Sequence, residues 1–198
     1  MHRGRIGIVS IGSFLSILLI GVSWGSANAQ VKLVKPASGG TIVINKSGSY
    51  FLGANLGFGF SNASAIRVNS GVNNVTINLN GFSIIGTGGT NTGGINASTN
   101  SGITVVNGTI TKFAGKAISL GPNSVVAGLQ LISNGGDALT CTIGCLVTGN
   151  VINSNIGTGL VFNDATSGYQ NNVINANGSK VTGGTNMGHN VCNGGTCP

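Results

Sequence analysis

The stretch Val75–Gly86 reads VTINLNGFSIIG and decides the fold, because later segments of the chain repeat its pattern. In its first half Val75, Ile77 and Leu79 alternate with polar residues, which is the period of a β-strand. Asn80-Gly81 then predicts a bend, and a second short apolar run follows. The same cadence returns in ITVVNGTI (Ile103–Ile110), VVAGLQLI (Val125–Ile132), LVTGNVI (Leu146–Ile152) and YQNNVI (Tyr169–Ile174). A recurring strand–bend–strand unit indicates a repeat protein.

Two independent sequence markers recur at similar intervals along the chain. The bend residue recurs at spacings of 27, 21, 22 and 22, at Asn80, Asn107, Gly128, Asn150 and Asn172. A small residue followed by Ile or Leu recurs at steps of 29, 23, 21 and 21, in Ala65-Ile66, Gly94-Ile95, Ala117-Ile118, Ala138-Leu139 and Gly159-Leu160. No amphipathic helix pattern accompanies them, so we predict a coil of parallel strands stacked about 4.8 Å apart. Asparagines at one bend favour an amide ladder, which we assign to Asn80, Asn107, Asn150 and Asn172.

The N-terminal segment has the three parts of a signal peptide. A basic MHRGR start, an apolar run over Ile6–Ile20 and the Ala27-Asn28-Ala29 site predict cleavage after Ala29. An uncleaved membrane anchor is the alternative, but the run is short and interrupted for a span of about 20 residues. We therefore expect residues 1–29 to be a signal peptide. Residues 30–198 would form one exported domain, periplasmic or extracellular, with no membrane span after cleavage.

Four cysteines lie in two close pairs, CTIGC with Cys141 and Cys145, and CNGGTC with Cys192 and Cys197. In an exported protein such pairs favour disulfides, although four cysteines allow three connectivities. The alternative is a zinc site with four thiolates. The second pair belongs to a predicted C-terminal cap at about residues 181–198.

The start of the stack and one insertion depart from the repeat. Phe51, Phe58 and Phe60 predict an N-terminal cap at about residues 41–64, because the first coil has no neighbour beneath it. The segment Gly86–Gly102 is rich in Gly, Thr and Asn, and we expect it to form a looped-out turn.

The phrases SGSYFLGANL, VTINLNGFSIIG and ITVVNGTI, with the corners NGGDAL and GTGLVF, resemble bacterial right-handed parallel β-helix repeat proteins of the pectin-lyase-like superfamily. The resemblance covers roughly residues 41–190. It implies an all-β fold, a right-handed parallel β-helix with three parallel sheets. The repeat interval predicts a β-solenoid of about five to six coils of 21–23 residues. The resemblance does not imply one function, because the superfamily includes lyases, hydrolases, epimerases, adhesins and non-catalytic shells.

Acidic residues are scarce. After residue 29 the chain has only Asp137 and Asp164 and no glutamate. Glycosidases need paired carboxylates, and a protein-bound calcium ion takes 6–8 oxygen ligands. The sequence therefore predicts no carboxylate-based catalytic or metal site, and we expect both aspartates to lie in turns.

Basic side chains and a tyrosine are the remaining candidates for a base in a metal-independent lyase. They are Arg67, Lys112, Lys116, Tyr169 and His189, and nothing in the sequence links them. Arg67 is expected to point outward if Ile66 and Val68 point inward. The basic residues are scattered, so no nucleic-acid partner is predicted.

We therefore expect a secreted, non-catalytic β-helix protein without a cofactor. Its polar Asn/Thr/Ser surface would contact polysaccharide or the cell envelope. The alternative is a lyase-like enzyme acting on uronic-acid glycans. An ice-binding solenoid would need regular outward T-x-T rows, and these occur only patchily, as in Thr109–Thr111 and Thr140–Thr142. The sequence predicts neither the ligand nor the oligomeric state.

Overall fold

A computed structural model describes residues 29–35, 40–87, 90 and 93–198 of the chain. The predicted signal peptide lies outside the described residues, apart from Ala29. Within the described ranges the secondary structure consists of β-strands and turns, and no helix there is long and apolar enough to cross a membrane.

The strands are short, because Gly and Asn interrupt the apolar runs. The first eleven are β1 (Val31–Leu33), β2 (Ile42–Ile44), β3 (Gly48–Leu52), β4 (Leu56–Phe58), β5 (Ser64–Val68), β6 (Val75–Asn78), β7 (Ser83–Gly86), β8 (Gly93–Ala97), β9 (Ile103–Thr111), β10 (Lys116–Leu120) and β11 (Val125–Ile132). The others are β12 (Leu139–Cys141), β13 (Leu146–Thr148), β14 (Val151–Asn153), β15 (Thr158–Phe162), β16 (Gly168–Gln170), β17 (Val173–Asn175), β18 (Ser179–Thr182), β19 (Thr185–Asn186), β20 (Val191–Cys192) and β21 (Gly195–Thr196).

These strands wind into a parallel β-solenoid with three faces. Face A is the sheet β2-β5-β8-β10-β12-β15-β18. Face B stacks β1, β3, β6, the first halves of β9 and β11, and then β13, β16 and β19. Face C stacks β4, β7, the second halves of β9 and β11, and then β14, β17 and β20. All these pairings are parallel, which confirms the predicted all-β solenoid. Its winding hand stays a prediction from the resemblance.

The number of coils is about seven rather than five to six. Residues 42–58, predicted as an N-terminal cap, form a complete first coil whose strands pair with β5, β6 and β7. The C-terminal cap region likewise contributes β19 and β20, which pair in parallel with β16 and β17. The predicted looped-out segment was also wrong in part, since β8 lies within it and pairs with β5 and β10. Both ends therefore continue the parallel pairing of the coils. The repeat spacing in the sequence did not reveal these terminal coils.

The apolar marker residues form one column inside face A. Successive coils align Ile42, Ile66, Ile95, Ile118, Leu139, Leu160 and Val181. Burial of such a side chain contributes about 1.5–3 kcal/mol. At Gly94, which precedes the marker residue Ile95, the surrounding atoms leave no room for a side chain. A Cβ on Gly94 would lie 2.5 Å from Ile110 Cγ2 and 2.7 Å from the Ala117 carbonyl oxygen.

The two ends differ. At the N-terminal end, β1 adds one strand beneath β3 on face B. At the C-terminal end, β21 turns back antiparallel to β20, and the Cys192–Cys197 disulfide closes this hairpin. Cys141 and Cys145 form the second disulfide, between β12 and β13. The predicted disulfides are confirmed, and they leave no thiolate for the alternative zinc site because no described cysteine is free.

Candidate functional site

Asparagine side chains stack inside the bend between faces B and C. Asn172 Oδ1 accepts hydrogen bonds from the backbone N and the Nδ2 of Asn150, at 3.0 and 2.9 Å. Asn190 Oδ1 in turn accepts from the backbone N and the Nδ2 of Asn172, at 2.9 and 3.0 Å. Asn150 and Asn172 are almost completely buried. This ladder is structural, because the amide groups form their hydrogen bonds within the chain.

Asn80 and Asn107, which the sequence assigned to the same ladder, lie elsewhere. Both are exposed, and both adopt the left-handed backbone conformation, with φ of 52° and 60°. The equivalent bend residues in later coils are Gly149 and Asn171, one position before the ladder residues. The assignment was wrong for these two because the bend has an outward slot and an inward slot, and both accept asparagine. A shift of one residue reverses the direction of the side chain.

A second ladder occupies the bend between faces C and A, and the sequence analysis missed it. Asn155 Oδ1 accepts from the backbone N and the Nδ2 of Asn134 at 3.0 and 2.9 Å. Asn177 Oδ1 accepts from the same two groups of Asn155 at 3.0 and 2.8 Å. The signal that could have revealed it is a small residue followed by Asn, at Ser133-Asn134, Ser154-Asn155 and Ala176-Asn177.

Tyr169 is not available as a catalytic base. It lies inside face B in register with the buried Val147, and its exposed fraction is only 1%. Its hydroxyl donates to the Pro198 carbonyl oxygen, and its ring stacks on Phe162 with 6.0 Å between centroids. Burial raises the pKa of this phenol above its ordinary value. The candidate role suggested by the sequence is therefore replaced by a structural one.

Lys116 and Asp137 pair with each other on face A. The Lys116 ammonium lies 3.2 Å from Asp137 Oδ2 and donates to Thr140 Oγ1 at 3.0 Å. Asp137 Oδ1 accepts from the backbone N of Thr158 at 2.9 Å. The carboxylate therefore ties three neighbouring coils together, and it lies in the corner before β12, as expected for a turn residue.

Asp164 closes a turn in the next coil. Its Oδ2 accepts from the backbone N of Thr166 at 3.1 Å and also from the Thr166 hydroxyl. Its Oδ1 accepts from Ser167 Oγ at 2.8 Å. The hydrogen bond from the Thr166 hydroxyl is the main reason why the pKa of Asp164 lies below its ordinary value. These contacts account for the residue as a turn former.

The remaining candidates are dispersed. Lys112 occupies a left-handed position at a bend between faces C and A, with φ of 62°, and His189 occupies one in the last coil, with φ of 57°. Arg67 lies on face A between the buried Ile66 and Val68 and is exposed. The structure brings none of these three together. Among the described residues, no group of three or more His, Cys, Asp or Glu side chains is placed to hold a metal ion.

Arg67 differs from Lys112 and His189 because it lies within a strand of face A rather than at a bend. Two depressions of about 280 and 290 Å³ flank it, and Arg67 and Asn96 line both. Thr41 and Asn62 lie on one side and Ser70 and Thr99 on the other. We call these six residues the Arg67 groove. Arg67 and Asn96 are neighbours in register on β5 and β8, so their side chains project in parallel from adjacent strands.

The groove presents hydrogen-bond donors. Asn96 Oδ1 accepts from the backbone N and the hydroxyl of Ser98, at 3.2 and 3.0 Å, so the amide Nδ2 is the group of this side chain that can donate to a ligand. The one ion pair within the described part of the chain joins Lys116 to Asp137, so no carboxylate there neutralises Arg67. A guanidinium and an amide N–H side by side form a site for a carboxylate or sulfate oxygen.

The comparisons with known proteins add no relative. No protein-family model, curated protein or solved structure matches the chain.

Proposed function

We propose that the chain is an exported, non-catalytic β-helix protein of the pectin-lyase-like type that binds carbohydrate through the Arg67 groove. The observation that carries this proposal is the pair of donors at Arg67 and Asn96, in register on a parallel sheet and flanked by depressions lined mostly by polar residues. A right-handed winding fits this proposal, because crossover connections between parallel strands are right-handed in about 98% of cases.

The chemistry of the groove favours an acidic saccharide. Arg67 supplies a planar guanidinium, which binds carboxylates with two parallel hydrogen bonds. Thr41, Asn62, Ser70 and Thr99 supply uncharged donors and acceptors for sugar hydroxyls. The groove is open on face A, so it can accept an internal segment of a long polymer as well as its end.

The arrangement supports binding more than lysis. A lyase requires a base within hydrogen-bond reach of the proton to be removed. Lys116 lies on the same face, but its ammonium is held by Asp137 and Thr140. Tyr169 is buried behind face B. The lyase-like alternative, acting on uronic-acid glycans, is therefore retained only as an outcome of the experiment below.

The experiment is a binding and depolymerisation screen with acidic and neutral oligosaccharides, with and without calcium, in which unsaturated-uronide absorbance reports lysis. We expect binding of acidic glycans without absorbance growth. Arg67→Ala should weaken this binding roughly 10- to 150-fold, since a hydrogen bond to a charged group contributes about 1.5–3 kcal/mol.

The matched control is Lys180→Ala, which removes one positive charge from β18, at the far end of the same face. It should leave binding nearly unchanged. Equal losses of glycan affinity in both variants would show a nonspecific effect of net charge and would reject the groove as the binding site. Growth of the uronide absorbance would replace the binding proposal with the lyase alternative.

A further inference from the structure

The N-terminal end of the solenoid concentrates positive charge. Three of the seven basic residues after the predicted cleavage site lie between residues 32 and 46, namely Lys32, Lys35 and Lys46. They belong to β1 and the first coil, and no described strand pairs beneath this coil on faces A and C. All three side chains are exposed.

The three lysines are spread around the perimeter of this end. Lys46 lies at the corner between β2 on face A and β3 on face B. The side chain of Lys32 covers Gly53, at the bend between β3 and β4. Lys35 Nζ donates to the Gly57 carbonyl oxygen at 2.7 Å, on face C. The three ammonium groups therefore lie near the corner between faces A and B, the bend between faces B and C, and face C.

Apolar surface lies inside this ring of lysines. Val31 and Val34 are 53% and 69% exposed, although both are aliphatic. Lys32, Leu33, Val34 and Ile42 line two depressions of about 210 and 390 Å³. We call Val31, Val34 and the three lysines the basal surface. Buried apolar area and electrostatic attraction are the two contributions that bind a protein surface to an anionic lipid interface, and this end offers both.

No described carboxylate neutralises the basal surface. Asp137 and Asp164 lie beside the fifth and sixth coils, about four coils or roughly 19 Å above the first coil at about 4.8 Å per coil. That separation exceeds the Debye length of about 8 Å at physiological ionic strength. The positive potential at this end is therefore unopposed by the protein itself.

We infer that the basal surface docks onto an anionic lipid membrane, so that the solenoid stands with its N-terminal end on the bilayer. Charge complementarity identifies an anionic partner, and the exposed valines favour a lipid surface over a soluble acidic polymer. The lysine stems would lie along the interface while the ammonium groups contact phosphate headgroups. The basal surface shares no residue with the Arg67 groove, so membrane docking does not depend on carbohydrate binding.

The experiment is co-sedimentation of the exported protein with vesicles of phosphatidylglycerol and phosphatidylcholine, against vesicles of phosphatidylcholine alone. The first variant is Lys32→Ala/Lys35→Ala/Lys46→Ala. The control variant, Lys112→Ala/Lys116→Ala/Lys180→Ala, removes the same charge from the rest of the molecule. All proteins share one N-terminus, read by mass spectrometry, so any retained apolar segment contributes equally to each.

We expect binding only to the anionic vesicles, weakened by salt. The basal triple variant should lose roughly a hundredfold in affinity, whereas the control should lose less than about threefold. Val31→Ser/Val34→Ser should also weaken binding while leaving its salt dependence unchanged. Circular dichroism melts establish that each variant is folded.

Equal losses of vesicle affinity in the two triple variants would overturn the inference, because the net charge of the protein rather than the basal surface would then be responsible for binding. Binding to soluble polyglutamate but not to vesicles would also overturn it, in favour of an acidic polymer. Concentration-dependent dimerisation abolished by Val34→Ser, without vesicle binding, would instead assign the surface to a second copy of the chain.

Discussion

Coils two to four and coils five to seven fill the bend between faces B and C in different ways. In coils two to four the inward residue is Leu79, Gly108 or Leu129, and the two leucines are fully buried. Gly108 is small because Leu79 fills the space beside it, and a Cβ there would lie 2.4 Å from Leu79 Cβ. In coils five to seven the inward residue is Asn150, Asn172 or Asn190. The same position is thus filled by apolar packing in one half and by amides in the other.

Strand continuity accounts for the apolar corner in coils three and four. The long strands β9 and β11 run through the bend in coils three and four and keep their backbone ladder across it. In the next two coils the bend separates β13 from β14 and β16 from β17, each three residues long. A broken ladder leaves backbone groups without partners, and a buried unpaired group is costly.

An asparagine side chain replaces the missing peptide group. Asn172 Nδ2 donates to the Val147 carbonyl of the preceding coil at 3.0 Å and to the Gln170 carbonyl of its own coil at 2.8 Å. The first amide of the ladder, Asn150, accepts from the backbone N of Leu129 at 2.9 Å. The other ladder begins in the same way, where Asn134 accepts from the backbone N of Phe113 at 3.1 Å. Each ladder therefore starts where the apolar corner ends.

The largest expected effect comes from a charge in the apolar half. Ile77→Asp places a carboxylate at a fully buried position without a partner, which should destabilise the fold by roughly 3–5 kcal/mol. Because each coil rests on its neighbours, unfolding followed by circular dichroism should also lose its single cooperative transition. Thr76→Asp, on the outward side of the same strand, is the control and should melt like the parent. An unchanged melt of Ile77→Asp would refute the buried assignment.

The second effect tests the amide half. Asn172→Leu keeps the volume but removes the five hydrogen bonds of the amide side chain, leaving the Val147 and Gln170 carbonyls and the Asn150 N–H without their partner. We expect a loss of roughly 3 kcal/mol or more in urea denaturation, at about 1–3 kcal/mol for each unpaired group.

Asn107→Gly is the matched control for this prediction. Asn107 is exposed with φ of 60°, a conformation that glycine adopts freely, so the change should be close to neutral. A large loss of unfolding free energy in this variant, together with a small loss in Asn172→Leu, would contradict the assignment of Asn107 to the outward slot and Asn172 to the inward slot.

This distinction also shows what the sequence could reveal. The repeat interval, the apolar columns and the disulfides follow from spacing and residue type. Asn80 and Asn107 were misassigned because both slots of the bend accept asparagine, and only the hydrogen bonds distinguish them. Tyr169 was misjudged because its direction depends on its register with Val147 in the previous coil. The Arg67 groove depends on the pairing of β5 with β8, which lies inside a segment expected to be a loop.

The third effect concerns the closed end of the amide half. Cys192→Ser/Cys197→Ser opens a loop of few residues, and chain entropy predicts a loss of about 2 kcal/mol. The loss should be local, so hydrogen exchange should accelerate first in β20 and β17 while the first coil keeps its protection. Uniform protection across all coils in the variant would contradict a local role for the C-terminal hairpin.

The smallest effect is the pH dependence contributed by Tyr169 at the same end. Because burial raises its pKa, the folded state holds the phenolic proton more tightly than the unfolded chain does. Its contribution to stability is therefore complete below the ordinary pKa of about 10 and declines as the pH rises through the raised value. Tyr169→Phe keeps the stacking on Phe162 but has no proton to lose, so its melting temperature should fall less steeply above pH 10 than that of the parent. Tyr50→Phe, which changes the partly exposed tyrosine of the first coil, is the control, and a matching change in its alkaline profile would mean that the effect does not originate at the C-terminal end.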